Sequence, residues 1–142
     1  MRYLGMDLGT TTLGLAITDK TNTICTPLKV IKFKSEDYES ILEEIKEIID
    51  EYNITDIVLG LPKNMDNSLG FASERSIKFK ELLSIFPVKI HLYDERLTTV
   101  EAMNILKSTG NKNIKQKNII DAISANIILE SYLKGLKWKI KL

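Results

Sequence analysis

Two short apolar runs joined by three threonines open this sequence, and they restrict the folds that the rest of the chain can adopt. The runs are YLGMDLG and LGLAIT, and the threonines occupy positions 10–12. Apolar runs of this length on either side of a short polar connection predict a β-hairpin. A sheet that begins with an antiparallel pair becomes mixed as soon as later parallel strands join it.

The next segments alternate between strand and helix patterns. PLKVIKF predicts a third strand, DIVLGLP a fourth and VKIHLY a fifth. Between the third and fourth strands, isoleucines recur at helical spacing, and Ser35 is the expected N-cap of that helix. This order predicts an opening meander followed by strand–helix units.

Three further helices complete the predicted order. The second helix covers about residues 71–86, and a capping box of Thr98 and Glu101 predicts the start of the third. A basic loop is expected over 108–117, followed by a last helix over about 117–134 that ends at Gly135. The predicted fold class is α/β, a five-stranded mixed sheet with helices on both faces.

Length and composition favour one domain over residues 1–142 with an ordinary core, because the chain is 44% hydrophobic. No apolar run approaches the roughly 20 residues of a membrane span, and the first nine residues turn polar too early for a secretory signal. A single cysteine, Cys25, excludes an internal disulfide and a cysteine zinc cluster. We therefore expect a cytoplasmic protein.

Basic residues are concentrated near the end of the chain. Residues 1–101 have 12 Lys/Arg and 17 Asp/Glu, a balance of −5, whereas residues 102–142 have 8 Lys and 2 acids, a balance of +6. Such segregation fits either a solvated lysine face or a surface for a phosphate backbone. Residues 134–142 form a basic amphipathic tail whose alternation predicts a strand, either covering a sheet edge or contacting a second subunit or nucleic acid.

Asp7 is the first candidate for chemistry. Strand residues two apart share a face, so Asp7 shares its face with Gly5 and Gly9. Without side chains around it, the carboxylate would be open to a metal ion or a phosphate. The alternative is an aspartate that only begins the hairpin turn.

Two further acidic groups stand at favourable places. Asp94 and Glu95 follow the fifth strand, and strand ends are where α/β sheets usually build sites. Arg96 could neutralise them in a purely structural ion pair. Asp121 lies inside the isoleucine stripe of the last helix, where it needs either Lys117 or a shared cation as a partner.

These carboxylates can converge at one end of the sheet, where oxygen ligands suit Mg²⁺ or Mn²⁺. Two such ions could activate water and stabilise the leaving oxygen during phosphodiester cleavage. The only histidine, His91, lies mid-strand and is interpreted as structural, and the chain has no Walker A or serine-elbow motif.

Four segments resemble one known family. GMDLGTTTLGLAITD, GLPKNMDNSLG, YDERLTT and KNIIDAISANIILESYL occur in the order and spacing of the YqgF (RuvX-like) family, over about residues 2–133. That family is described as Holliday-junction-resolvase-like and as a nuclease for the 5′ end of pre-16S ribosomal RNA. The resemblance implies an RNase H-like fold.

The resemblance also implies residue roles. The catalytic metal ligands would be Asp7, Glu95 and Asp121, with Asp94 as a second choice, and loop 60–70 would border the site. Arg96 would orient the acids or contact phosphate, and Lys117 would help to neutralise the scissile strand. With the rest of the basic segment, the expected nucleic-acid contacts are Arg96, Lys107, Lys112, Lys115 and Lys117.

The leading hypothesis is a Mg²⁺- or Mn²⁺-dependent nuclease of ribosome biogenesis acting on precursor rRNA, as a monomer or homodimer and in contact with a ribosomal subunit. A resolvase of branched DNA and a non-catalytic RNA-binding module are the alternatives. The segment DLGTTTLG also resembles the phosphate loop of actin-like and sugar-kinase ATPases, but those proteins hold the nucleotide between two domains and this chain has room for one.

Overall fold

A computed structural model describes residues 1–62, 70–95 and 114–141 of this protein. The strands are β1 (Tyr3–Leu8), β2 (Thr12–Thr18), β3 (Cys25–Lys32), β4 (Asp56–Leu61) and β5 (Lys89–Asp94). The helices are α1 (Leu42–Tyr52), α2 (Phe71–Leu83) and α3 (Ile114–Lys141), and a short 3₁₀ helix at Tyr38–Ile41 leads into α1. The predicted third helix, with Thr98 and Glu101, lies outside the described residues.

The five strands form one mixed sheet in the order β3-β2-β1-β4-β5. β1, β2 and β3 are an antiparallel meander, as the hairpin pattern predicts, and β4 and β5 join parallel to β1. The carboxyl ends of β1, β4 and β5 therefore lie at one edge of the sheet. The predicted five-stranded mixed sheet is confirmed.

One face of the sheet packs on α1 and α2. Alternation along the strands puts the large apolar side chains on this face. Asn53 ends α1 in a left-handed conformation, with φ of 54°, and its N–H is bonded to the Ile49 carbonyl. The fully buried members of this core include Leu4, Met6, Leu13, Leu15, Ile45, Ile57, Leu59, Phe79 and Leu83.

The opposite face packs on α3, and small residues of the helix make the closest part of this contact. Ala122 and Ala125 of the helix are buried against the sheet, and Ile128 and Leu129 continue the contact. The predicted isoleucine stripe is wrong at its start, because Ile119 is 50% exposed. Small side chains let the helix come closer to the sheet than a row of isoleucines would allow. Helices thus cover both faces of the sheet, as predicted.

The start of the first helix differs from the prediction. Ser35 is not its N-cap: the 3₁₀ helix begins three residues later, after Asp37. Glu36 takes a left-handed conformation, with φ of 58°, and its N–H is bonded to the Thr10 carbonyl in the hairpin turn. This bond turns the chain before it can become helical, and the buried Tyr38 then anchors the helix entry.

The predicted C-terminal strand is also wrong, as is the predicted end of the last helix at Gly135. α3 continues through Gly135 to Lys141, and it begins at Ile114, inside the expected loop 108–117. Gly135 does not take the positive φ of a terminating glycine. Continuing the helix satisfies each N–H within the segment, for a glycine cost of about 1 kcal/mol. Within the described residues, no helix is long and apolar enough to cross a membrane.

The single histidine lies away from the acidic residues at the carboxyl edge. His91 Nε2 is 2.8 Å from Asp56 Oδ2, and Thr55 donates a hydrogen bond to the other carboxylate oxygen of Asp56. The ring of His91 also packs near those of Tyr3 and Tyr132. Asp56 is the first residue of β4, so this pair lies toward the amino ends of the parallel strands. These contacts fit the structural interpretation of His91.

Candidate active site

Two carboxyl groups from separate strand ends meet at the edge of the sheet. Asp7 is the penultimate residue of β1, and Glu95 directly follows β5. Glu95 acts directly on Asp7 through its charge and its side chain. Two carboxyl groups in such a position are favourable together only when one of them holds a proton or a cation compensates for their charge.

Gly60 in β4 makes room for this pair between the two strands. A methyl group on Gly60 would lie 2.5 Å from Glu95 Oε1 and 2.8 Å from Ile128 Cδ1. The Glu95 side chain thus lies directly against the glycine backbone, where any larger residue would displace it. The sequence interpretation missed this role, although a glycine inside a buried apolar strand is a signal of close approach.

Asp121 reaches the same region on α3. Gly14 of β2 is the cross-strand partner of Asp7. The backbone of α3 lies on Gly14, whose missing side chain would collide with the Asp121 carbonyl. Asp121 is therefore held above the strand position beside Asp7, and the structure brings all three predicted acids to one region.

The clearing expected around Asp7 is filled on one side. A methyl group on Gly5 would lie 2.9 Å from the Ala125 carbonyl oxygen and 2.9 Å from Leu129 Cβ. Gly5 therefore makes room for α3, and the prediction that it leaves space for a ligand is wrong. The physical reason is that a strand face without side chains lets a helix pack closely on it, and the helix then fills the space. A ligand of Asp7 therefore cannot approach across Gly5, where α3 lies.

The environment of the pair favours the protonated forms. Burial raises the pKa of Asp7 well above its usual value, and the charges of Glu95 and Asp121 add to this rise. Burial also raises the pKa of Glu95, with a smaller contribution from the charge of Asp94, although its hydrogen bond with Asp7 works in the opposite direction. A buried acidic pair of this kind is destabilising when ionised, unless a cation compensates for it.

This pair predicts a pH-dependent stability. Because the pKa of Asp7 is raised, the folded protein binds its proton more tightly than the unfolded chain does. The resulting stabilisation is present below the unfolded pKa of about 4 and is lost as the pH rises through the folded pKa. The measurement is the urea denaturation midpoint in EDTA at several pH values. Between pH 5 and pH 8, the midpoint of the wild type should decrease relative to that of Asp7→Asn. Parallel profiles for the two proteins would contradict the raised pKa.

The donor chemistry of the three acids fits a hard divalent cation. Oxygen ligands are what Mg²⁺ and Mn²⁺ prefer, and Asp7, Glu95 and Asp121 are the residues that would hold such an ion. In the part of the chain that the structure describes, no three acidic, histidine or cysteine side chains are already arranged as a ligand set.

The side chains of several predicted site residues lie outside the described part of the structure. Arg96, Lys107 and Lys112 lie outside the described residues, as does most of the predicted loop 60–70. Lys115 and Lys117 lie in the first turn of α3, and only their helical backbone is described. Asp94 is the last residue of β5. Of Asp94 and Glu95, it is Glu95 whose charge and side chain raise the pKa of Asp7.

Curated relatives are similar to this chain over nearly their whole length. A protein of Clostridium botulinum (strain Hall) named "Putative pre-16S rRNA nuclease" is 42% identical over 137 residues, 96% of this chain and 98% of that protein. Proteins of the same name in Geobacillus sp. (strain WCH70) and Thermoanaerobacter pseudethanolicus are also 42% identical. They cover 94% and 98% of this chain, and 97% and 100% of their own length.

Solved structures with the same fold are more distant in sequence. Thermus thermophilus RuvC in complex with a Holliday junction has a TM-score of 0.58 at 15% identity, covering 94% of this chain and 95% of its own. The fowlpox virus resolvase in complex with Holliday junction DNA has a TM-score of 0.59 at 16% identity, covering 96% and 99%. These likenesses confirm the RNase H-like fold.

A family model decides the classification. The model described as "RuvX: Holliday junction resolvase" matches residues 1–135. That match includes β1, β5 and most of α3, so it contains Asp7, Glu95 and Asp121 together. With the 42% identity of full-length relatives, it leaves one conclusion: this chain belongs to the RuvX family.

Proposed function

We propose that this protein is a divalent-metal-dependent nuclease that hydrolyses phosphodiester bonds in pre-16S rRNA during 5′-end processing. The observation that carries the proposal is the placement of three acids in one region: Glu95 lies against Gly60, and the α3 backbone at Asp121 lies on Gly14, the cross-strand partner of Asp7. Three carboxylates brought together repel one another, and they gain stability from a cation. The names of the 42%-identical relatives supply the class of substrate.

Asp7, Glu95 and Asp121 would hold Mg²⁺ or Mn²⁺, in a site for two ions, and the bound metal supplies Lewis acidity toward water and the leaving oxygen. Binding requires Asp7 and Glu95 in their ionised forms, against the raised pKa of each group. Gly60 leaves the Glu95 side chain room beside β4, and α3 carries Asp121 toward the pair across Gly14. Asp94 remains the second choice as a ligand.

The substrate would enter along the carboxyl edge of the sheet. There the carboxylates repel phosphate, so basic groups must compensate for them on the flanks of the site. We assign this role to Arg96 and to the basic segment that begins at Lys107 and continues through Lys112, Lys115 and Lys117. We also propose that the precursor rRNA is bound in a ribosomal subunit when it is cleaved.

The test is a cleavage assay with three labelled nucleic acids: a single-stranded RNA, a pre-16S rRNA fragment and a four-way DNA junction. Each is incubated with the protein in Mn²⁺, in Mg²⁺ and in EDTA. We expect cleavage of the pre-16S fragment that requires the metal. Cleavage that persists undiminished in EDTA would contradict the metal-dependent mechanism.

A Holliday junction resolvase is the second candidate, favoured by the description of the matching family model. It predicts symmetric cutting of the four-way junction by a dimer, with little action on single-stranded RNA. A binding module without catalysis predicts that none of the substrates is cut and that RNA affinity is the same in EDTA. The same assay, with the oligomeric state measured alongside, therefore separates all three functions.

A further inference from the structure

A second concave site lies on the opposite face of the sheet from α3. It is a cavity of about 480 Å³ between the start of the 3₁₀ helix and the first two turns of α2. This volume falls in the range of small-molecule sites. Two aromatic, two acidic and two basic residues line it: Tyr38, Phe71, Glu36, Glu74, Arg75 and Lys78.

The cavity adjoins the same hairpin turn as the acidic pair. The Tyr38 hydroxyl donates a hydrogen bond of 3.4 Å to the Gly9 carbonyl, two residues after Asp7. The Glu36 N–H donates one of 2.8 Å to the Thr10 carbonyl. Asp7 is paired with Gly14 on the face that α3 covers, so the cavity and Asp7 lie on opposite faces beside one hairpin. A nucleic acid strand bound at Asp7 would reach the cavity by passing around this hairpin.

The Arg75 side chain lines the cavity. Its Nε is buried, and the described residues offer that atom no acceptor. The guanidinium also acts on Tyr38, where its charge opposes the rise in tyrosine pKa that burial causes. A buried, unsatisfied donor is costly in the free protein, and a ligand acceptor that draws the guanidinium toward the cavity would remove that cost.

The two aromatic rings that line the cavity differ in their exposure. Tyr38 is buried and fixed by edge-on contacts with Phe33 and Phe79, at centroid distances of 5.4 and 5.6 Å. Phe71 is 81% exposed at the start of α2, which leaves its ring face open. An exposed phenylalanine beside a polar cavity is suited to stacking on a flat ring.

The charges of the residues that line the cavity indicate which part of a nucleotide can bind in it. Glu36 and Glu74 cancel Arg75 and Lys78, so the cavity has no net attraction for a phosphate. A nucleobase is neutral, and its edge carries both acceptors and donors. Arginine pairs with base acceptors such as O6 and N7 of guanine, and carboxylates accept from exocyclic amino groups.

We propose that this cavity binds one unpaired base of a single-stranded nucleic acid, with Phe71 stacked on the base and Arg75 hydrogen-bonded to its edge. The proposal rests on the proposed function in that it takes the substrate to be a nucleic acid. It adds that the strand must be unpaired beside the cleaved bond, because a base inside a duplex cannot enter the cavity.

Binding of base-bearing and base-free strands tests this assignment. The probes are a single-stranded RNA of about 12 nucleotides and an abasic oligomer of the same length, which has the same phosphates. Affinities are measured in EDTA with Asp7→Asn as the background, so that cleavage plays no part. We expect the RNA to bind about tenfold more tightly than the abasic oligomer. Adding Phe71→Ala or Arg75→Gln should remove most of this preference.

Two exposed residues outside the cavity supply matched controls. Ile85→Ala removes an apolar side chain that is 69% exposed, and Lys46→Gln removes an exposed charge from α1. Both should keep the full preference for base-bearing RNA. Equal affinity of the parent for the two probes, or an undiminished preference in Phe71→Ala and Arg75→Gln, would overturn the proposal.

The base-binding assignment of the cavity and the proposed nuclease activity can be refuted independently of each other. Metal-dependent cleavage by the wild type without any preference for bases would refute the cavity assignment alone. A base preference that the two cavity variants lose, in a protein that cuts no substrate, would refute the nuclease and keep the cavity. No binding of either probe would refute the cavity assignment, and the cleavage assay would then judge the nuclease by itself.

Discussion

Asp7→Asn should lower metal-dependent cleavage by more than about 100-fold, because losing a direct ligand should exceed the loss of a group that only supports ligands. Asparagine keeps the size of the side chain but removes its charge, so the cation loses the buried carboxylate on which Glu95 acts. The measurement is the initial cleavage rate of the pre-16S fragment in Mn²⁺ at equal concentrations of folded protein.

The fold should survive this change, and that separates chemistry from stability. In EDTA at pH 8, Asp7→Asn should unfold at a temperature no lower than the wild type, because it removes a buried acid with a raised pKa. Asp50→Asn, an exposed acid-to-amide change on α1, is the control and should retain full activity. Wild-type cleavage by Asp7→Asn would exclude Asp7 as a ligand.

The sheet was predictable because its signals are local. The hairpin follows from two apolar runs around the threonines, and DIVLGLP is a buried strand whatever lies beside it. The meeting of Asp7 with the acids after β5 follows for a related reason, because parallel strands bring their carboxyl ends together. The choice of Glu95 over Asp94 came from the family resemblance. The strand order β3-β2-β1-β4-β5, which was not predicted, arises because β4 and β5 join β1 on the side that β2 leaves free.

The errors come from contacts between distant segments. Ser35 satisfies the local rule for an N-cap, but the bond from the Glu36 N–H to the hairpin delays the helix. The alternation in residues 134–142 is compatible with a strand, yet no local rule says whether a sheet edge is available to it. Gly60 and Gly14 look like ordinary strand glycines until the Glu95 side chain and α3 are placed against them.

Gly14→Ala is expected to destabilise the protein by at least about 2 kcal/mol, which corresponds to a fall in Tm of at least about 5 °C. The new methyl group would collide with the backbone carbonyl of Asp121, and a backbone atom cannot rotate aside as a side chain does. The helix must then move away from β2. The measurement is the urea midpoint and Tm of the variant against wild type.

Other glycines provide a graded comparison. Gly5→Ala brings a methyl group to 2.9 Å from the Ala125 carbonyl oxygen, a milder collision with the same helix. Gly135→Ala is the control on α3, because among the described residues nothing lies within 4 Å of its missing side chain. Alanine there should stabilise the helix by up to about 1 kcal/mol. Stability should therefore rank Gly135→Ala above wild type, then Gly5→Ala, then Gly14→Ala.

Gly14→Ala should also reduce catalysis beyond its effect on folding. Gly14 is paired with Asp7 across the sheet, so a helix lifted at this point carries Asp121 away from the acidic pair. Cleavage per folded molecule should fall in Gly14→Ala and stay unchanged in Gly135→Ala. A destabilised Gly14→Ala with full activity per folded molecule would mean that Asp121 is not needed at its present distance. In that case the essential ligands would reduce to Asp7 and Glu95.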